Sequence, residues 1–173
     1  MRDKSGLLLA LAVCAVSLPT VAAEPATSTT PESGTISFCA NLSPDEESAP
    51  TYSNALGRAD FVLQRSDLKF SWKVTYKDLS TEPTSAAIYG PQRPGSNASK
   101  QWDLAPTTKL KSPISGSMTL NDGQMEYLLT TRLYVNILTT KYPAGELRGQ
   151  VVRIPPGEQC PPPYPPAKSD KTK

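Results

Sequence analysis

The chain contains no histidine in its 173 residues. That absence excludes a Ser-His-Asp or Cys-His catalytic arrangement and removes imidazole from any metal site. A Ser-Lys dyad would need a pairing that no spacing in the sequence advertises. Cysteine is scarce at three residues, and aromatic residues make up 7%. Neither charge dominates: 18 Lys and Arg stand against 16 Asp and Glu, a formal net charge of +2. This leaves no basic footprint for nucleic acid, and Lys168, Lys171 and Lys173 form only a weakly basic, solvated end. Glycine-rich phosphate loops are missing, and no apolar run reaches the ~20 residues that a bilayer-spanning helix needs. The expectation is no cofactor, no metal and no catalytic set.

The remaining polar groups are unspecific. Asp45-Glu46-Glu47 reads as an exposed loop, and Asp60, Asp78, Asp103, Asp122 and Glu126 fall at solvent-facing or turn positions. Two carboxylates could meet across a fold, as in a glycosidase, but that holds for nearly every protein. Trp72 and Trp102 invite a sugar-stacking reading; the favoured one puts Trp72 in the core and lets Trp102 cap a loop.

The first residues have the pattern of an export signal. Arg2 and Lys4 precede the apolar run Leu7–Val16, and Pro19 and the small residues Val21-Ala-Ala23 follow, with cleavage expected after Ala23. Cys14 lies inside the run behind Leu11-Ala12-Val13. A lipoprotein signal would put a small residue directly before that cysteine, so Val13 favours discarding Cys14 with the signal. Loss of Arg2, Asp3 and Lys4 brings the net charge to +1. Cys39 and Cys160 then remain as the two thiols of an exported chain, the makings of one intramolecular disulfide.

Residues 24–34 are polar and rich in Pro, Ser and Thr, hence a linker. Residues 155–173 hold seven prolines, so no ladder can form there and the tail is expected to be flexible. Its Pro162-Pro163-Tyr164 could serve as a polyproline ligand, the disfavoured reading in an exported chain. Asn41-Leu-Ser43 and Asn97-Ala-Ser99 match the N-glycosylation pattern, which matters only in a eukaryotic secretory pathway.

Residues 35–154 make one domain. Leu68, Phe70, Trp72, Val74 and Tyr76 alternate with Lys69, Ser71, Lys73 and Thr75, a strand with one face in the core. Further strands are expected at 36–42, 59–64, 86–89, 101–104, 114–120, 133–139 and 146–154. One helix is expected over 121–130, with Asn121 or Asp122 as its cap. Many short strands, one helix and frequent Gly/Pro punctuation describe an all-β sandwich or barrel. The closing hairpin is clearest. Leu133, Val135 and Ile137 alternate with Tyr134, Asn136 and Leu138, then Tyr142-Pro-Ala-Gly145 turns the chain into Leu147, Gly149 and Val151. Glu146 and Arg148 share a face two residues apart, where they can pair with each other or with a neighbouring strand; an exposed pair of that kind is worth roughly 0–1 kcal/mol.

That hairpin resembles the closing block of the CHRD domain, a module first described in chordin and also found singly in bacterial secreted proteins. The matching positions are Tyr134, Asn136, Thr139, Pro143, Gly145, Glu146, Arg148 and Gly149. The order of earlier blocks, Gly57–Phe61, Leu68–Tyr76 with Leu79, Pro83–Pro91 and Met118–Leu129, extends the resemblance along almost the whole domain. It implies a Greek-key β-sandwich or barrel of seven to nine strands. Family members commonly carry an Ala-Ala-His-Ile-His-Gly-Pro block and a histidine before the threonine of the hairpin. Here the block is Ser85-Ala-Ala-Ile-Tyr-Gly-Pro91, so Ala87, Tyr89 and Leu138 stand at the three histidine positions. A His-x-His pair could turn two imidazoles to one metal; Ala87 and Tyr89 cannot.

The resulting expectation is a secreted or periplasmic, non-catalytic binding or structural module, with another extracytoplasmic protein or a matrix polymer as partner. The alternative is a metal-handling protein or enzyme on a superoxide-dismutase-like barrel. The export reading predicts that N-terminal sequencing of the mature protein starts at Glu24. A mature chain beginning at a lipidated Cys14 would refute it.

Overall fold

Strict alternation of apolar and polar side chains turns one face of a strand inward, and the chain repeats that pattern until two sheets can close on a shared core. The computed structural model describes residues 34–161. The export signal, nearly all of the linker and the tail after Pro161 lie outside the described residues.

Nine strands form among the described residues: β1 Thr35–Leu42, β2 Leu56–Gln64, β3 Lys69–Lys77, β4 Pro83–Tyr89, β5 Lys100–Asp103, β6 Ile114–Thr119, β7 Tyr134–Thr139, β8 Leu147–Gln150 and β9 Val152–Arg153. One sheet has the order β6-β3-β2-β1-β9 and the other β5-β4-β7-β8; all pairings are antiparallel. The chain runs β1–β2–β3 in the first sheet and crosses for β4 and β5. It returns for β6, crosses again for β7 and β8, and ends in β9 beside β1. This is an all-β sandwich with the crossing connectivity that the resemblance implied. Between β6 and β7 lies α1, Asp122–Leu129. Asn121 is its cap: Gln124 N–H donates to Asn121 Oδ1 at 2.9 Å, and Asn121 N–H to Gln124 Oε1 at 3.1 Å.

The core is aromatic at its centre. Phe61 and Phe70 stack at 5.1 Å between centroids, and Phe38 meets Phe70 edge to face at 6.4 Å. Trp72 is buried and donates its indole N–H to Leu104 O at 2.9 Å. Trp102 lies on β5 and meets Phe70 edge-on at 6.3 Å rather than capping a loop. No helix among the described residues is long and apolar enough to cross a membrane.

Two expected strands need correction. Leu68 has φ of 55° and belongs to the turn before β3, not to the strand. The single strand expected over 146–154 is divided at Val151. Up to Val151, whose N–H donates to Leu133 O at 2.9 Å, the chain follows β7. From Val152, opposite Cys39, it follows β1. The same stretch therefore serves both sheets. Their edges are further joined where Ser43 and Arg148 exchange backbone hydrogen bonds of 2.9 and 3.2 Å. Gly149 permits this approach, since a Cβ there would stand 2.2 Å from Asn41 O.

Beyond β9, Glu158 N–H donates to Pro155 O at 3.1 Å and turns the chain back. Cys160 reaches Cys39 and forms the disulfide, with α-carbons 5.9 Å apart and 121 positions separating the residues. Asn41 Nδ2 donates to Pro161 O at 2.6 Å just past the bridge. Closing so long a loop removes unfolded-chain entropy on the order of 4–5 kcal/mol. Reduction is therefore expected to lower the melting temperature by several degrees, while the far-UV dichroism at room temperature stays β. Loss of the β spectrum on reduction would show that the sheets depend on the bridge for folding.

Candidate functional site

β4, β7 and β8 lie side by side, and their register fixes which side chains share the outward face of the second sheet. Ala87 is opposite Asn136, Tyr89 opposite Tyr134 and Ser85 opposite Leu138. On the other side Asn136 is opposite Arg148 and Tyr134 opposite Gln150. Directly paired residues point the same way, so Ala87, Tyr89 and Leu138 share one face of two adjacent strands, with Leu138 diagonal to Ala87. None of the three carries an imidazole. Tyr89 instead stacks on Tyr134 at 5.5 Å with an interplanar angle of 16°. Among the described residues no three His, Cys, Asp or Glu side chains gather as a metal ion would require.

The hairpin turn has the hydrogen bond its sequence asks for, Gly145 N–H to Tyr142 O at 3.1 Å. Gly145 takes φ of 141°, a backbone region that L side chains rarely enter. The turn holds Pro143 in solvent and sends Glu146 and Arg148 onto the outward face. That face is not open there. The segment Ser43–Ala55, which includes the 3-10 turn Pro44–Glu46, and the segment Gln92–Ala98 contribute the groups that cover it.

Glu146 and Arg148 are 0% and 1% exposed, so the expected surface ion pair is absent. Each is satisfied separately. Glu146 Oε1 accepts from Ser53 Oγ at 2.6 Å and from Ser80 N–H at 2.7 Å, while Oε2 accepts from Thr139 Oγ1 at 2.6 Å. Burial works against the charge, but the donors from Ser53, Thr139 and Ser80 outweigh it and hold the carboxyl below its ordinary value. Arg148 donates to Asn97 Oδ1 at 3.0 Å and to Ser96 O at 2.6 Å, and its guanidinium carbon lies 3.6 Å from the centroid of the Tyr134 ring. Tyr134 in turn accepts at its hydroxyl from Ala98 N–H at 3.0 Å. Arginine, Tyr134 and Tyr89 thus form one stack, clasped by the 96–98 segment.

The other motif residues serve the same assembly. Thr139 is buried and also accepts at its hydroxyl from Tyr142 N–H at 3.2 Å; Asn136 Nδ2 donates to Ala144 O at 3.2 Å; Gly149 admits the β1 backbone. The acidic run differs from the expected exposed loop, for Asp45 alone is exposed. Glu46 is buried, and Glu47 is largely buried, with burial pushing its carboxyl up to about 7 against the opposing pull of the Arg148 charge. The sequence reading missed Glu47, Ser53, Ser80 and Ser96. Ser43 followed by Pro44 and two acidic residues is a helix-start signal that would have found the turn carrying Glu47. Nothing marks the serines. Asn97 was noticed only as a glycosylation acceptor.

A family model of the CHRD domain matches residues 38–151. Comparison with curated proteins finds no match, and comparison with solved structures finds none.

The Glu146 cluster carries a pH consequence. A carboxyl lowered in the folded state contributes stability above its unfolded value of 4.5, and that contribution is lost as pH falls through the lower folded value. Glu146→Gln is expected to flatten the acid limb of melting temperature against pH below about 4.5. At pH 7 it is expected to cost about 2–3 kcal/mol, because an amide cannot accept from all three donors. An unchanged acid limb would mean that another carboxylate governs acid unfolding.

Proposed function

The chain belongs to the CHRD domain family, a family of secreted-type extracellular modules, and on that premise we propose that it is a non-catalytic protein-binding or structural module of the secreted or periplasmic space. One observation carries the reading: the polar side chains of the family motif are consumed inside the fold. Glu146 and Arg148 have no solvent exposure to offer a substrate, and their hydrogen bonds end on Ser53, Ser80, Thr139, Ser96 and Asn97. Ala87, Tyr89 and Leu138 supply bulk and stacking where relatives carry imidazoles. A partner then has the exposed strand edges, loops and turn to recognise, and an extracytoplasmic protein or a matrix polymer suits such a surface better than a small molecule.

The test uses the purified mature protein. Elemental analysis is expected to give no stoichiometric copper or zinc, and a pull-down from the native extracellular fraction is expected to enrich a partner that the unfolded domain does not. Stoichiometric metal at neutral pH would overturn the reading in favour of a metal-handling protein. In the triple variant Ala87→His, Tyr89→His, Leu138→His, copper titration is expected to show binding that the natural sequence lacks; failure to bind would mean that the three positions do not converge on one ion.

A further inference from the structure

Several acceptor oxygens in the covered face have no donor, and two of them lie side by side. Glu47 Oε1 and Asn136 Oδ1 are both buried and unpartnered. They converge on the same spot: a Cβ built on Gly145 would lie 2.3 Å from Glu47 Oε1, 2.5 Å from Asn136 Oδ1 and 2.6 Å from Asn136 Nδ2. The separation of the two oxygens therefore cannot exceed the sum of their short distances to that point. Two unpaired acceptors held together away from water are unfavourable unless a hydrogen lies between them. Asn136 Nδ2 lies near the same spot but donates to Ala144 O at 3.2 Å and makes no hydrogen bond to Glu47 Oε1, and turning the amide over would set its oxygen against Ala144 O.

The donor does not come from the nearby cation. Arg148 is committed to Asn97, Ser96 and the Tyr134 ring. Two further carboxyl groups adjoin these residues in the chain. Glu46 precedes Glu47 and is buried, and Glu146 follows Gly145 on the hairpin with its charge already satisfied by three donors. Arg148 also makes the spot a poor one for a metal ion.

We propose that Glu47 is a proton latch: its carboxyl carries a hydrogen in the closed fold and donates it to Asn136 Oδ1, fastening the segment Ser43–Ala55 onto the β7–β8 hairpin, and release of that proton to solvent loosens the segment. Burial, which pushes this carboxyl up to about 7, sets the range in which the latch works. The sign follows from the raised value. Between about 4.5 and about 7 the folded state holds a proton that the unfolded chain has lost, so stability falls as pH rises across that window, and the full penalty stands above it. This is opposite in sign to the contribution of Glu146. The segment also carries Ser53, a donor to Glu146, and Ser48, which donates to Asn97 at 2.9 Å. Loosening it thus disturbs the clasps on both buried charges.

Three measurements on the full chain decide the matter. In a 13C titration of the Glu47 side-chain carboxyl, a midpoint near 7 supports the latch, and a midpoint near 4.5 overturns it. In amide hydrogen exchange corrected for intrinsic rate, residues 44–55 are expected to lose protection at least tenfold between pH 6 and pH 8.5. Glu47→Gln, whose amide N–H can donate to Asn136 Oδ1 at any pH, is expected to keep that protection and to remain more stable than the natural sequence at pH 8.5. If the variant loses protection with the same pH profile, or is the less stable protein at pH 8.5, the latch is wrong. Calcium chloride serves as the probe for a cation between the same oxygens. Stabilisation of the natural chain by calcium at pH 8.5, absent in Glu47→Gln, would assign the pair to a metal ion and overturn the proposal; an equal response of both proteins supports it.

Discussion

A carboxylate without solvent contact must find its donors in the protein, and Glu146 finds them in three separate places. Ser53 belongs to the β1–β2 connection, Ser80 to the β3–β4 connection and Thr139 to the end of β7. Two loops that cross between strands are thereby pinned to one residue at the mouth of the hairpin. The penalty for leaving a buried charge unpaired, several kcal/mol, favours the loop positions that supply these three bonds, which hydrophobic contact alone would not specify. Arg148 repeats the arrangement two residues on, with Asn97 and Ser96 as acceptors and an aromatic face beneath its guanidinium. Alternation sends both side chains to the same side, so two residues at the start of the closing strand anchor both segments that cover this face.

The strands were legible because period-two alternation is a property of adjacent residues. Phe70, Trp72 and Val74 could be assigned to the core from the sequence, and Asn121 could be read as a cap from its distance to Gln124. What the sequence did not reveal were relations between distant segments. Alternation said that Asn136, Glu146 and Arg148 face away from the core, and the inference that they face water followed by default. It failed because loops from residues 43–55 and 92–98 lie over them, and no local pattern announces where a loop will settle. The division of 146–154 at Val151 was invisible for the same reason: the residues alternate smoothly, while their partner changes from β7 to β1. Gly149, recognised as a motif position, owes its identity to the Asn41 carbonyl, more than a hundred residues away in the chain.

Ala87, Tyr89 and Leu138 leave no vacancy in this fold. Tyr89 lies flat on Tyr134, and Tyr134 lies under Arg148, so the face positive charge prefers is presented by a ring that is itself held by a second ring. Ala87 is fully buried and Leu138 partly so. The sheet face is a packed, mostly closed surface whose polar groups are turned toward its own loops.

The disulfide also determines how tension would travel through the domain. The chain enters at Gly34, reaches Cys39 within the first strand, and leaves directly after Cys160. With the sulfurs joined, a pull applied to the two sides passes from residue 34 to residue 39, across the bridge and out. Everything between Ala40 and Gln159, eight strands and the helix included, lies on a closed loop off that route. The backbone of the sandwich cannot be drawn out while the bridge holds, and its extension under force is limited to peeling the first half of β1 from β2 and β9. Reduction would place the whole domain in series with the strain, so the redox state of one bond decides whether this module behaves as a stiff link or as an extensible one.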